Sequence, residues 1–198
     1  SASISTTSYL PDFNFPKISG QIHKSIPDGN GGSYIGGDFI VQGLSYLVHV
    51  LANNTIDTSF TPNPNSSVYA LYLDGSTLYV GGYFTQISGQ SQNFIAAINA
   101  TTGTLQSWNP NSDGIINTIS KVVDTIYVGG EFANIGGQNR NNIAALDSSS
   151  AIATSWNPNV NSRIKKIVIN GSEAIICGSF TQIGIQTRNY LAALSLTT

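Results

Sequence analysis

The pentapeptide Ser107-Trp108-Asn109-Pro110-Asn111 returns 48 residues later as Ser155-Trp156-Asn157-Pro158-Asn159. The residues between the two copies keep the same spacing. Tyr79–Phe84 reads YVGGYF, Tyr127–Phe132 reads YVGGEF, and Ile176–Phe180 gives an eroded third copy, ICGSF. A chain with this period builds one small unit several times over. A single unit cannot bury its own apolar face, so neighbours must stack and share a core.

The units begin at Phe13, Phe60, Trp108 and Trp156, dividing the chain into 13–59, 60–107, 108–155 and 156–198. In the second unit an Asn/Pro loop (Thr61–Asn65) leads to a strand at Val68–Leu73 and a tight turn at Asp74-Gly75. A second strand, Leu78–Phe84, carries a Gly-Gly-x-Phe motif. A polar loop, an apolar strand ending Ile95–Ile98, a turn at Thr102-Gly103 and a fourth strand complete the plan. Short runs between Gly, Asn, Asp and Pro turns fit antiparallel strands. No segment shows a sustained helical period. The expected fold is therefore all-β: one domain, a four-bladed β-propeller of four-stranded antiparallel blades.

Glycine is unfavourable inside a strand, so Gly36-Gly37, Gly81-Gly82 and Gly129-Gly130 mark close backbone approach or a bulge where blades meet. The recurring aromatics Phe13, Phe60, Trp108 and Trp156, with Phe39, Phe84, Phe132 and Phe180, read as core between blades. The final Thr197-Thr198 matches Thr101-Thr102, which leaves the last unit without its fourth strand. Leu10-Pro11-Asp12-Phe13 lines up with Leu105-Gln106-Ser107-Trp108, so an N-terminal strand at about 5–13 is expected to complete the last blade. Pro11 is tolerable there, because a fourth strand is an outer edge. The rival reading has the same strand completing the last blade of a neighbouring copy.

Only 9% of residues are charged, far below the usual ~25%. With a net charge of −2 there is no electrostatic footprint for nucleic acid, and a surface that repels its copies weakly leaves self-association open. No apolar run is long enough to span a bilayer, so no membrane insertion is expected. The chain has no Met and no signal-type apolar segment at its start, which reads as a mature or excised product. The single Cys177 rules out an internal disulfide; standing at a glycine position of the repeat, it reads as a buried, inert thiol. Glycosylation sequons begin at Asn53, Asn65, Asn99 and Asn170.

Gly-Gly-x-Phe, then Gly-Gly-Gln-x-Arg-Asn-x-Ile-Ala-Ala-Leu, then Ser-Trp-Asn-Pro-Asn resembles the delta-sixty type β-propeller repeat, most closely over Gly129–Asn159. Recognisable copies extend from Phe13 to the end. The resemblance implies a propeller, and a bacterial or archaeal surface or secreted setting; it transfers no catalytic residues. The first unit departs most, because its loop Ile40–Ser45 is short and lacks Gln-x-Arg-Asn.

One propeller face would gather the loops between blades and those between second and third strands. That face holds Asn109, Asn111, Asn157 and Asn159 from the first loop type, and Gln138, Arg140, Asn141, Gln186, Arg188 and Asn189 from the second. These are the candidate ligand-binding residues, since amides and guanidinium suit sugar hydroxyls. The structural reading is that Asn before Pro folds onto nearby backbone and Arg braces loops. On the innermost strands His23, Tyr69, Asn117 and Lys165 are equivalent, as are Lys24, Ala70, Thr118 and Lys166, with Arg163 nearby. They read as solvated edge residues of a degenerate repeat, or as an attraction for an anion. His49 reads as a core-edge histidine, and Pro27–Gly32 as an elongated hairpin turn with too few oxygens for calcium. No nucleophile elbow, phosphate loop or zinc motif occurs, so no enzyme, cofactor or metal is expected. The expectation is an extracellular or cell-surface structural module that assembles with copies of itself. The alternative is a carbohydrate-binding propeller that engages surface glycans through its Asn/Gln/Arg loop face.

Overall fold

The computed structural model describes Ser3–Ile4, Pro11–Asp12 and residues 14–197, and among the described residues there is no helix. Strands β1 (Ser3–Ile4) and β2 (Pro11–Asp12) pair antiparallel with each other. The first unit then forms β3 (Ser19–Pro27), β4 (Ser33–Val41) and β5 (Leu44–Val50). The second forms β6 (Val68–Asp74), β7 (Thr77–Gly82), a small hairpin of β8 (Gln86–Ile87) and β9 (Gln90–Ser91), and β10 (Ile95–Asn99). The third repeats this with β11 (Ile115–Val122), β12 (Thr125–Glu131), β13 (Asn134–Ile135), β14 (Gln138–Asn139) and β15 (Ile143–Asp147). The fourth has β16 (Ile164–Asn170), β17 (Glu173–Gly178), β18 (Gln182–Ile183), β19 (Gln186–Thr187) and β20 (Leu191–Ser195). The first unit has no small hairpin, because Gln42-Gly43, both at positive φ, turn β4 directly into β5.

Each unit thus yields a three-stranded antiparallel sheet with the glycine strand in the middle: β3-β4-β5, β6-β7-β10, β11-β12-β15 and β16-β17-β20. The expected fourth strand is reduced to a single bridge in three units: Val50 with Ile56, Ile98 with Leu105 and Leu146 with Ala153. It is short because the aromatic a few residues on (Phe60, Trp108 or Trp156) turns inward and draws the backbone off the ladder. Pro11–Asp12, expected to pair with the last sheet, pair with Ser3–Ile4 instead, and β20 is bonded to β17 alone among the described strands. Residues 5–10 and Phe13, the rest of the expected closing strand, lie outside the described residues.

The sheets stack in chain order through shared cores. Phe60, Trp108 and Trp156 are buried, and each ring meets a tyrosine of the preceding sheet. The centroid distances are 5.4 Å to Tyr34, 5.1 Å to Tyr79 and 5.3 Å to Tyr127. The two indole N–H groups donate to Asp147 O and Ser195 O, so these amphipathic rings leave no buried donor unpaired. The first glycine of each pair explains how the sheets come so close. A Cβ at Gly36 would stand 2.6 Å from Val68, one at Gly81 2.7 Å from Ile116, and one at Gly129 2.5 Å from Ile164. The second glycine of each pair faces the neighbouring strand of its own sheet instead.

The fourth sheet breaks the pattern. At the position of Gly36, Gly81 and Gly129 it carries Cys177, which is half-buried rather than enclosed. The residue equivalent to Val68, Ile116 and Ile164 in the first sheet is Ile22. Those three are fully buried, whereas Ile22 is 37% exposed. The last sheet therefore lacks the glycine that lies against a buried aliphatic side chain at each of the other three junctions.

Candidate functional site

Each inner strand carries one residue more than its partner, always at the same repeat position. The extra residues are His23, Tyr69, Asn117 and Lys165, each flanked by a shift in register. A bulge of this kind bends the strand and re-aims the side chain it carries. Here all four side chains, with Arg163, line one cavity of about 250 Å³. The His23 and Tyr69 rings meet edge to face at 4.9 Å, and Asn117 donates from Nδ2 to Ile164 O at 2.9 Å. The repeat supplies the geometry of this ring of positions, and each unit fills its place with different chemistry.

Beyond the bulges lies a larger cavity of about 580 Å³ that all four inner strands line. Leu71, Ile119 and Ile167 give it an apolar wall, and Lys24, Lys121 and Lys166 give it charge. Lys121 donates to Asp74 Oδ2 at 2.5 Å, and this bond holds its ammonium above the usual lysine range. Lys24 is held below that range, first by desolvation and then by the charge of Lys166. Of the eight Lys and Arg residues, five (Lys24, Lys121, Arg163, Lys165, Lys166) therefore stand around the axis. Arg163 pairs with Glu131 at 3.0 Å and Lys121 with Asp74, but Lys24, Lys165 and Lys166 have no carboxylate partner among the described residues.

The ten loop-face residues spread over the loops and hairpins of the third and fourth units. Several are committed to loop structure. Asn109 accepts from the Asn111 N–H, and Asn141 donates to Asn159 Oδ1 at 2.7 Å. Arg140 donates to Asn139 O and Thr154 O, bracing its hairpin. Gln138, Asn157, Gln186, Arg188 and Asn189 are exposed, and Arg188 also lines a cavity of about 430 Å³ beside Ile175 and Leu191. The loops owe their shape to three further side chains. Asn65, Asp113 and Asn161 each accept two backbone N–H groups from the chain 20 and 21 residues on.

His49 occupies a buried cluster that the sequence shows only in part. Its Nε2 faces Asp28 Oδ2 and its Nδ1 faces Asp57 Oδ2, both at 3.0 Å. The ring is thus held between two carboxylate oxygens. The ring also stacks on Tyr34 at 4.4 Å. Asp28 holds the Pro27–Gly32 turn as well, accepting from the N–H groups of Asn30 and Gly32. Desolvation pushes both carboxyls up. It is outweighed at Asp28 by the Asn30, His49 and Gly32 bonds, and at Asp57 by the Ser59 and His49 bonds, so both lie below the ordinary 3.8. Depressed carboxyls stabilise the fold above that value, and their contribution is lost as pH falls through the folded-state values. We expect Tm to drop below about pH 4, and Asp28→Asn to flatten that acid limb while lowering Tm at pH 7. Thermal scans from pH 2 to 7 measure both effects.

The sequence model of the DUF5122 beta-propeller, a domain of unknown function, matches residues 74–105 and 124–152. The second and third units thus match a β-propeller repeat. Among solved structures, the chain is similar to the computationally designed Ika4 protein at 9% identity and a TM-score of 0.59, over 92% of this chain and 95% of that one. It is also similar to the computationally designed Ika8 protein at 10% identity and a TM-score of 0.57, over 90% of this chain. The propeller chain spans 46% of the length of Ika8. At these identities the likeness is one of fold. A comparison with curated proteins finds no match.

Proposed function

We propose that the chain is a non-catalytic structural module of an extracellular or cell-surface assembly. In this reading it is a four-bladed propeller of the delta-sixty type. Its last blade takes an outer strand from an N-terminal segment at about residues 5–13, and strand addition between copies links the modules. The observation that supports it is the outer edge of β20. In the first three sheets the third strand has a bridged outer segment, with Asp57, Gln106 and Thr154 donating to His49, Ala97 and Ala145 carbonyls. Among the described residues β20 has none, and its Leu191 is 64% exposed. An apolar strand edge of this kind recruits a strand. The low surface charge sets little repulsion against association. Light scattering across a concentration series tests the reading. It predicts particles at multiples of the 20.9 kDa chain, and a monomer at every concentration overturns the assembly.

A second reading, carbohydrate binding, is favoured by one hairpin. Gln186, Arg188 and Asn189 are exposed next to Tyr190, itself 61% exposed, which places donors and acceptors beside an aromatic face. Arg188→Ala tests it, because Arg140 braces its own loop and its loss would confuse folding with binding. A glycan-array signal abolished by Arg188→Ala supports lectin activity, and the absence of any signal from the natural chain overturns it.

A further inference from the structure

The four sheet junctions are not equivalent, and the axial charges are not evenly placed around them. Lys24 stands on β3 and Lys166 on β16, the inner strands of the first and last sheets. These are the two sheets that Cys177 and the exposed Ile22 mark as loosely joined. The equivalent positions elsewhere hold Ala70 and Thr118, and there the residue helps to tie neighbouring sheets together. Ala70 is part of the core between the second and third sheets, and Thr118 Oγ1 accepts from the Ile167 N–H across the next junction. At the first-to-last junction that place is taken by the ammonium group of Lys166, and the charge of Lys24 on the inner strand of the first sheet repels it.

Three features make this place suited to a ligand. Both ammonium groups line the same cavity of about 580 Å³, large enough for a polyatomic ion with part of its hydration. No carboxylate is among the cavity's lining residues, so nothing in the wall competes for the lysines. The wall is otherwise mainly apolar, and charge attraction is stronger beside apolar walls than in bulk water. Lys121, the third lysine of the cavity, already belongs to Asp74.

We propose that the axial cavity binds a doubly charged tetrahedral oxyanion, phosphate or sulfate, between Lys24 and Lys166. The anion replaces repulsion with two charge-assisted bonds and draws the last sheet onto the first. It acts as a removable clasp at the one junction that lacks a glycine contact. Inorganic phosphate, inorganic sulfate and the phosphate monoester of a saccharide share this chemistry.

The test is thermal unfolding of the full chain in sodium phosphate, sodium sulfate or a monosaccharide phosphate monoester, each against sodium chloride at equal ionic strength. Lys24→Gln/Lys166→Gln serves as the comparison. Phosphate and sulfate stabilise proteins generally by exclusion from the surface, so the double variant reads that background. At a hundredfold excess over Kd we expect the natural chain to gain roughly 5–10 °C more than the variant. A gain with the free ions alone identifies the inorganic ion as the ligand, and a gain with the monosaccharide phosphate at lower concentration identifies the ester. The clasp also predicts that Lys24→Gln alone raises Tm in chloride, because it removes repulsion without an anion. Equal anion shifts in the natural chain and the double variant overturn the proposal. So does a Lys24→Gln variant whose Tm in chloride is unchanged or lower.

Discussion

Gly129→Ala will destabilise the fold by about 3 kcal/mol, the upper end of what a forced methyl costs in a packed interior. The new Cβ would stand 2.5 Å from Ile164 Cγ2, 2.9 Å from Ile164 Cβ and 3.0 Å from Thr118 Cγ2. Ile164 is fully buried, and Thr118 is fixed by its bond from the Ile167 N–H, so neither side chain has room to retreat. The backbone must separate instead, and the junction between third and fourth sheets opens along its length. For a chain of this size the loss is a fall in Tm of roughly 6–12 °C. Adding Ile164→Ala, which removes the methyl the new Cβ meets, should make the two changes less than additive. A Gly129→Ala protein within 2 °C of the natural Tm, by the same scan, would contradict this close packing of the sheets.

Trp156→Ala should cost about 3–5 kcal/mol. The indole is 6% exposed, crosses Tyr127 at 88° and donates to Ser195 O at 2.8 Å. Its removal leaves a cavity between the third and fourth sheets, a tyrosine without its partner and a carbonyl without its donor. Trp156→Phe keeps much of the volume but not the N–H, so it should recover most of the loss and leave about 1 kcal/mol outstanding. Ile185→Ser is the control: at 91% exposure it should stay within about 0.5 kcal/mol. Denaturant titration of the four proteins ranks them, and an alanine variant no worse than the serine one would remove the indole from the core.

The repeat made most of this fold legible before any coordinates. Units, strand order and inter-sheet aromatics all follow from one period, since a feature that recurs at every junction must serve the junction. Cys177 at a glycine position was visible too, but its consequence was not. The loss of a glycine shows its effect only where a neighbouring sheet would have packed against it. The shortened outer strands escaped sequence reasoning because pairing length depends on where the inward-turning aromatic pulls the backbone. The glycine pairs pointed to a bulge but not to the strand that carries it. His23, Tyr69, Asn117 and Lys165 look like ordinary strand residues, and only the register with the middle strand shows that each is an extra one. The His49 cluster joins residues 28, 49 and 57 from a turn, a strand and a loop, and no repeat copy shares it.

Assembly by strand addition requires that β20 gain an outer strand. In the first three units a backbone N–H at one repeat position donates to the outer segment: Leu51 to Thr55 O, Asn99 to Thr104 O and Asp147 to Ile152 O, at 2.8–2.9 Å. Ser195 holds that position in the fourth. Amide hydrogen exchange at Ser195, followed by NMR in the full chain and in a chain lacking residues 1–13, measures the strand directly. The account predicts exchange slowed by about a hundredfold or more in the full chain, and near the unstructured rate after the deletion. Rapid exchange of the Ser195 N–H in the full chain, at concentrations where it forms particles, would contradict it.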